Sequence, residues 1–139
     1  MDVNLDINYM GIIKTDYHLS DFQVLRGIAS KVQLSIIRRV ARCCDFEICG
    51  ILYNNKIKFL KNISDDPVHT YLIDPKDYFS VYTEINCVFH SHLTYNLDLS
   101  GLDILNTEET ELSQLIYSIK SDRFLFYNYK LQKKFIFSL

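Results

Sequence analysis

No apolar run in this sequence approaches the roughly 20 residues that a helix needs to span a bilayer. No membrane-spanning segment is therefore predicted. Residues 1–9 alternate charged or polar side chains with apolar ones, a pattern that is not typical of a signal peptide. Together these two absences predict a protein that is made and kept in the cytoplasm.

A strong charge of either sign is also missing. The chain has 15 Lys and Arg against 17 Asp and Glu, a formal net charge of -2 and a pI near 6.0. Proteins that bind nucleic acid are usually marked by a basic excess, so no nucleic-acid partner is expected. The basic cluster Arg38, Arg39 and Arg42 is local, and we expect it on one exposed helix face.

The cysteines lack the paired CxxC spacing that is typical of structural zinc sites and redox motifs. The chain has four of them, Cys43, Cys44, Cys49 and Cys87. In a reducing compartment such residues stay free thiols, and buried thiols pack as small hydrophobic groups. This interpretation is favoured over a structural zinc site built from thiolates.

The composition is that of a folded protein. Hydrophobic residues make up 48% of the 139 residues and charged residues 23%, and ten Tyr and nine Phe supply large rings for burial, although there is no Trp. This length suits one hydrophobic core. Since no internal repeat, linker or low-complexity tract is present, we expect a single domain over residues 1–139, with residues 1–30 as a candidate N-terminal extension.

Helix signals occur in three places. Ser20 and Gln23 have the spacing of a capping box, which opens a helix, and residues 21–44 are compatible with helix, with a second start at Ser35. Pro75 suits the first turn of a helix to about residue 84. A further helix is predicted to begin at Ser100 and to include the acidic run 108–111.

Strand signals alternate with these helices. Residues 3–9 have the period of two that predicts a half-buried strand, and Asn54-Asn55 has the positive-φ tolerance that a tight hairpin needs. A mixed sheet flanked by helices follows, in the α/β or α+β class. The other predicted strands cover residues 47–53, 56–61, 70–73, 86–90, 115–119, 124–129 and 135–139.

The sequence around residues 87–103 has the residue types of a metal site. His90 and His92 are two apart at the end of a predicted strand, so both side chains point to the same side. Ser100 and Asp103 are three apart at a predicted helix start, so both project from its first turn. Two imidazoles and one carboxylate suit Zn²⁺ and leave its fourth position open for water. We therefore predict one catalytic zinc.

A zinc hydrolase also needs a proton acceptor, because the ion lowers the pKa of its water only to about 7. Glu47 is the candidate. Burial of a carboxylate at the start of an otherwise apolar strand costs free energy unless the carboxylate has a partner or a chemical role. Gly50 permits a close backbone approach nearby. The Ser100 hydroxyl can donate to the oxyanion of a tetrahedral intermediate.

This constellation resembles a known family. His90-Ser91-His92, seven residues, then Ser100-Gly101-Leu102-Asp103 is similar to the JAMM motif of the MPN-domain metallopeptidases, His-x-His-x7-Ser-x-x-Asp. Glu47 with the segment 49–52 resembles the upstream Glu-x-Cys-Gly-hydrophobic segment of the family. Asn62 and the segments 65–67 and 73–78 resemble the prokaryotic and phage-tail branch, and the whole resemblance covers about residues 35–130.

The resemblance implies a cytidine-deaminase-like α/β fold and one catalytic zinc. It places His90, His92 and Asp103 on the metal, Glu47 as the acid/base and Ser100 as the oxyanion stabiliser. The implied reaction is hydrolysis of a peptide or isopeptide bond in a protein or peptide substrate. Two positions at which the family usually or often has Pro differ, since the chain has Leu93 after the second His and Asp45 two residues before the Glu.

Simpler interpretations exist for each residue alone. His90 or His92 can be a hydrogen-bonded core histidine, and Glu47 can be exposed at a strand end. Ser100 and Asp103 can be an ordinary helix start, with a cap and a carboxylate favoured by the helix dipole. The joint spacing of all five residues favours zinc over these separate explanations.

Three functions follow from the resemblance and stay open at the level of sequence. The first is an active zinc peptidase in the cytoplasm of a bacterium or a phage-infected host cell. The second is a structural or assembly role with phage tail proteins as partners, in which the protein belongs to the virion tail. The third is processing of a ubiquitin-like or sulfur-carrier protein. A zinc nucleobase deaminase is set aside, because it needs a Pro-Cys-x-x-Cys ligand pair.

Overall fold

A computed structural model describes residues 6–7, 12–14, 25 and 27–139, and their strands form one mixed eight-stranded sheet. The strands are β1 (Asp6–Ile7), β2 (Ile12–Lys14), β3 (Cys49–Tyr53), β4 (Lys56–Leu60), β5 (Ile85–His92), β6 (Ser113–Ser118), β7 (Arg123–Asn128) and β8 (Lys133–Phe137). Their order across the sheet is β1-β2-β8-β7-β6-β5-β3-β4. The described residues also form two α-helices, α1 (Lys31–Arg42) and α2 (Gly101–Thr110). The sheet and helices confirm the predicted class of a mixed sheet with helices.

Strand β5 is paired on both sides. It runs antiparallel to β3, with Cys49 opposite His90, and parallel to β6, with His90 opposite Ile116. A parallel pair cannot be closed by a tight hairpin and needs a crossover connection. Helix α2 lies in the crossover between β5 and β6, and the loop of residues 93–100 connects its first turn to the strand that carries the two histidines.

Helix α1 begins earlier than the predicted second start at Ser35. Ser30 caps the helix by accepting from the backbone N–H of Gln33, and the Gln33 side chain accepts from the Ser30 N–H in return. Because this capping box satisfies the first turn, the helix runs without a break through Ser35, which is exposed. The start at Ser35 is therefore wrong. The buried residues of α1 are Leu34, Ile37 and Ala41.

The predicted β3–β4 hairpin is confirmed. Asn54 and Asn55 form its turn with φ of 48° and 60°, in the left-handed region that Asn tolerates better than most residues. Gly50 lies in β3 where a β-carbon would overlap with the Lys58 carbonyl oxygen and the Phe89 ring. A side chain is therefore excluded at Gly50 by its two neighbouring strands.

The segment between β4 and β5 differs from its predicted structure. Residues 70–73 do not form a strand, since Leu72 makes only a local pairing in which its carbonyl accepts from the Ile63 N–H, and its own N–H donates to the Asn62 side chain. The helix predicted from Pro75 is present as two short 3-10 segments, Pro75–Asp77 and Phe79–Glu84. Residues 70–73 thus have the composition of a strand, but in the part of the chain that the structure describes no neighbouring strand is placed to pair with them.

The remaining strands and the helix α2 agree with their predictions to within a few residues. The predicted helix start at Ser20 and most of the predicted strand at residues 3–9 lie outside the described residues, whereas residues 27–30, also predicted as compatible with helix, are turn or loop. All four cysteines are free thiols, with Cys49 and Cys87 buried and Cys43 exposed. In the described part of the chain, no helix has both the length and the apolar character needed to cross a membrane.

Candidate metal centre

The two histidines leave the sheet at the carboxyl end of β5. Both are buried, with 0% of His90 and 6% of His92 exposed. Since they are two residues apart in an extended strand, their side chains lie on one face, and their Nε2 atoms are 3.2 Å apart. Two ring nitrogens of adjacent imidazoles therefore meet at one point beneath the protein surface.

Helix α2 brings Asp103 to the same point. Ser100 caps the helix by accepting from the Asp103 N–H at 3.1 Å, and the Ser100 N–H donates to Asp103 Oδ2 at 2.8 Å. The same Oδ2 lies 3.3 Å from His90 Nε2 and 3.5 Å from His92 Nε2. The helix cap thus aims one carboxylate oxygen between the two imidazoles.

Glu47 approaches from the residues that precede β3. Both backbone polar groups of Glu47 are hydrogen-bonded. The Glu47 N–H donates to the Pro67 carbonyl at 2.7 Å, and the Glu47 carbonyl accepts from Asn62 Nδ2 at 2.9 Å. The next residue, Ile48, donates its N–H to Ser91 Oγ at 2.9 Å. These bonds hold Glu47 beside the end of β5, and only 4% of Glu47 is exposed.

The structure therefore brings together four of the five predicted site residues around one point. Glu47, His90 and His92 form a buried group that could hold a metal ion, with one donor atom of each within 4.8 Å of the others. Asp103 adjoins both imidazoles through Oδ2. Ser100, the fifth residue, lies at the helix cap, where its oxygen accepts from Asp103 and its hydroxyl proton is not used in that bond.

The distances between the donor atoms fit a small tetrahedral ion. Ligand atoms about 2.0–2.1 Å from Zn²⁺, at the corners of a tetrahedron, lie about 3.3 Å from one another. The three separations among His90 Nε2, His92 Nε2 and Asp103 Oδ2 are 3.2, 3.3 and 3.5 Å. Two imidazoles and a carboxylate are also a donor set that zinc accepts. The residues present therefore fit the predicted ion.

One of the two imidazoles has a defined tautomer. His92 Nδ1 lies 3.0 Å from the Asn96 carbonyl oxygen. A carbonyl only accepts, so Nδ1 carries the proton and donates it. In the neutral ring, the lone pair is then on Nε2, which faces His90 and Asp103. This is the outer hydrogen bond that orients most metal-binding histidines in proteins.

The electrostatics of the site separate its carboxylates. Burial raises the pKa of Glu47 to about 7, which the positive potential of His92 opposes and the charges of Asp103 and Asp66 reinforce. Burial also acts to raise the pKa of Asp103, but the two histidines and the Ser100 N–H outweigh it and hold that pKa well below its usual range. Asp103 is thus the permanent anion and Glu47 the carboxyl group that exchanges a proton near neutral pH.

The histidines are also shifted, in opposite directions. Burial lowers the pKa of His90 and outweighs the effect of Asp103. For His92, burial acts to lower the pKa, but hydrogen bonds with Asp103 and the Asn96 carbonyl give a net raised pKa. His90, the more deeply buried ring, is therefore the stronger candidate for a permanently neutral imidazole.

Several supporting residues were missed from the sequence. Tyr71 stacks on the His90 ring, with the ring centres 4.1 Å apart, and Gln114 binds both the Tyr71 hydroxyl and the Asp103 carbonyl. Ser91 binds Ile48 next to Glu47. Tyr71 and Gln114 have no sequence pattern that links them to the histidines. Ser91 lies between the histidines, and its position alone could have suggested a structural role.

Comparisons with known proteins address the fold and not the chemistry. No family model matches the chain, and no curated protein matches it. The fold is similar to the solution structure of protein DSY2949 from Desulfitobacterium hafniense, a structural-genomics target. The two share 20% sequence identity with a TM-score of 0.53, over 71% of this chain and 82% of that chain. At this identity the similarity supports the mixed α/β fold alone.

Proposed function

We propose that the protein is a zinc-dependent peptidase that hydrolyses a peptide or isopeptide bond in a protein or peptide substrate. The observation that carries the proposal is the convergence of His90 Nε2, His92 Nε2 and Asp103 Oδ2 within 3.2–3.5 Å of one another, beside a buried Glu47. The spacing that resembles the JAMM motif supports it, and a cytidine-deaminase-like JAMM fold is part of the same proposal.

His90, His92 and Asp103 would hold the ion. Bound zinc supplies Lewis acidity and makes water a nucleophile near neutral pH. Glu47 then takes the proton that the attacking water loses and passes it to the leaving amine as the carbon–nitrogen bond breaks. In the metal-free chain burial raises the pKa of Glu47 to about 7, and the positive charge of a bound ion would favour the ionised form that accepts the proton.

Asp103 and Glu47 divide the work of two carboxylates. Asp103 stays ionised and helps to neutralise the metal, since its pKa lies far below that of Glu47. Ser100 has an oxygen already occupied as the acceptor of the Asp103 N–H, so its hydroxyl proton is the part that can donate to a developing oxyanion. In this proposal Ser100 both caps α2 and polarises the scissile carbonyl.

The test compares Glu47→Gln with Asp103→Asn. Purified wild-type protein should contain about one zinc per chain, as measured by elemental analysis. Glu47→Gln should keep the metal and lose hydrolysis of a casein or positional-scanning peptide substrate, whereas Asp103→Asn should lose the metal as well. Retention of hydrolysis by Glu47→Gln would remove Glu47 from the proton transfer.

The main competing role is a metal site kept only for folding or assembly. Under that alternative, Glu47→Gln behaves like the wild type in every assay, and chelation of zinc lowers stability without affecting any hydrolytic rate. A wild-type protein that binds no zinc, Co²⁺ or Mn²⁺ would overturn both the peptidase and the structural-metal interpretation.

A further inference from the structure

The two histidines are held differently. His92 donates from Nδ1 to the Asn96 carbonyl at 3.0 Å, as metal-binding histidines usually do from their second ring nitrogen. His90 Nδ1 is buried and, within the described residues, has no hydrogen-bond partner. The hydrogen bond that normally fixes the ring of a histidine ligand is therefore missing from His90.

A neighbouring ring occupies the face of His90 instead. Tyr71 lies nearly parallel to the His90 imidazole, with ring centres 4.1 Å apart and an interplanar angle of 23°. Only 8% of Tyr71 is exposed. Stacking of this kind restricts the tilt of a ring, because the flat contact is lost when either ring rotates away from the other.

The Tyr71 ring is itself fixed by polar contacts. Its hydroxyl donates to Gln114 Oε1 at 3.1 Å and lies 3.4 Å from Asn106 Nδ2, which donates to it from helix α2. Gln114 is almost fully buried. Its amide nitrogen donates to the Asp103 carbonyl at 3.0 Å and to Thr107 Oγ1 at 2.9 Å.

These contacts connect two of the proposed metal-binding residues, His90 and Asp103, through a continuous series of side chains. The His90 imidazole stacks on Tyr71, Tyr71 donates to Gln114, and Gln114 donates to the backbone of Asp103. His90 belongs to β5 and Asp103 to α2. A single buried tyrosine thus connects the strand that carries the His90 imidazole with the helix that carries the Asp103 carboxylate.

We propose that Tyr71 is a positioning residue that orients the His90 imidazole by stacking, and that its hydroxyl makes a smaller contribution by fixing the ring to Gln114. The inference rests on the metal centre proposed above and adds how one of its ligands is held. The tyrosine ring replaces the outer hydrogen bond that His90 lacks. The hydroxyl has the separate task of fixing the ring to α2.

The experiment uses Tyr71→Leu, which removes the ring, and Tyr71→Phe, which keeps the ring and removes the hydroxyl. Phe126→Leu is the matched control, since Phe126 is a fully buried aromatic residue that stacks on Phe135 in the core. Co²⁺ affinity is measured by chelator competition, and the ligand field is followed by visible absorption. Tyr71→Leu should weaken Co²⁺ binding by about 10–100-fold, as loss of an outer-shell partner does, with an altered spectrum.

The other variants decide whether the effect is specific. Tyr71→Phe should lose less than about tenfold in Co²⁺ affinity and keep the wild-type spectrum. Phe126→Leu should lose stability without any change in Co²⁺ affinity or spectrum. Wild-type affinity and spectrum in Tyr71→Leu, or an equal loss in Phe126→Leu, would overturn the positioning role.

Imidazole NMR spectra of the metal-free protein separate this inference from the proposed function. The His90 and His92 rings have centres 5.0 Å apart, so they should show a mutual nuclear Overhauser effect. That effect should persist in Tyr71→Phe and Phe126→Leu and be lost in Tyr71→Leu. If the wild type binds no metal but this pattern is observed, the metal centre fails and the orientation of His90 by Tyr71 stands. If the effect persists in Tyr71→Leu, the positioning role fails whatever the metal data show.

Discussion

The Asp103 Oδ2 atom accepts a 2.8 Å hydrogen bond from the Ser100 N–H and lies 3.3 Å from His90 Nε2. One carboxylate oxygen therefore completes the cap of α2 and faces the imidazoles at the same time. The two tasks can be separated chemically, because an amide oxygen can accept the capping hydrogen bond but carries no charge.

Asp103→Asn should therefore keep the fold and lose the metal. The Asn side-chain oxygen can still accept from the Ser100 N–H, whereas Asp103→Ala also loses the capping bond, which costs about 1 kcal/mol of stability. We expect both variants to lose zinc in a chelator competition and only Asp103→Ala to unfold at clearly lower urea concentration when both are metal-free. Equal metal affinity in Asp103→Asn and wild type would contradict a role for the charge.

Glu47 should make the stability of the metal-free protein depend on pH. Its pKa is about 7 in the folded chain against an ordinary value of 4.5. Between these values the unfolded chain loses the proton while the folded chain keeps it, so stability falls as pH rises through the window. Urea unfolding in the presence of a chelator should show this fall in the wild type and a smaller one in Glu47→Gln. Identical pH slopes in the two proteins would contradict a raised pKa.

Asn62 should contribute stability well beyond that of a typical loop residue. Its amide nitrogen donates to the carbonyls of Glu47 and Thr70, and its oxygen accepts from the N–H groups of Ser64 and Leu72. Asn62→Ala removes these bonds from a half-buried site and should lower the free energy of unfolding by about 2 kcal/mol.

Asn62→Asp is the matched variant, because it keeps the acceptor for Ser64 and Leu72 and removes the donor to Glu47 and Thr70. We expect it to reduce hydrolysis through misplacement of Glu47 while zinc content stays unchanged. If Asn62→Ala unfolds at the same urea concentration as wild type, the hydrogen bonds of this segment are replaced by water at no cost.

Two glycines should respond in opposite directions to the same substitution. At Gly50 a β-carbon would overlap with the Lys58 carbonyl and the Phe89 ring, so Gly50→Ala should destabilise the protein by about 3 kcal/mol. At Gly101, in the first turn of α2, a β-carbon meets nothing within 4 Å. Gly101→Ala should therefore stabilise by about 0.5–1 kcal/mol, through a less flexible unfolded chain. Thermal unfolding of both variants checks the pair.

Sequence could predict those parts of the site that depend on local geometry. The two-residue spacing of His90 and His92 in a strand, and the three-residue spacing of Ser100 and Asp103 at a helix cap, each fix a shared direction within one element. The sequence also predicts that the histidine pair and the Ser100–Asp103 pair lie close together, because a short loop joins β5 to α2. Glu47 came from the resemblance to a family and from the cost of burying its carboxylate, and not from any local pattern.

What sequence could not predict depends on partners distant along the chain. Tyr71 lies in an apolar run that has strand composition, but the Leu72 N–H bonds the Asn62 side chain instead of a neighbouring strand. Its stacking on His90 has no periodic signal, because a ring contact between separate segments leaves none. The predicted start of α1 at Ser35 is wrong for a different reason, since the helix begins at a local capping box of Ser30 and Gln33.

The crossover from β5 through α2 to β6 has a consequence for the order of folding. The parallel pairing of β5 with β6 requires the chain to turn back through α2, and that turn is also the step that carries Asp103 toward the histidines. The side chains of His90, His92 and Asp103 therefore cannot come together after the sheet has formed, because the same chain segment makes both. Metal-binding capacity during refolding should appear together with the centre of the sheet, and not after it.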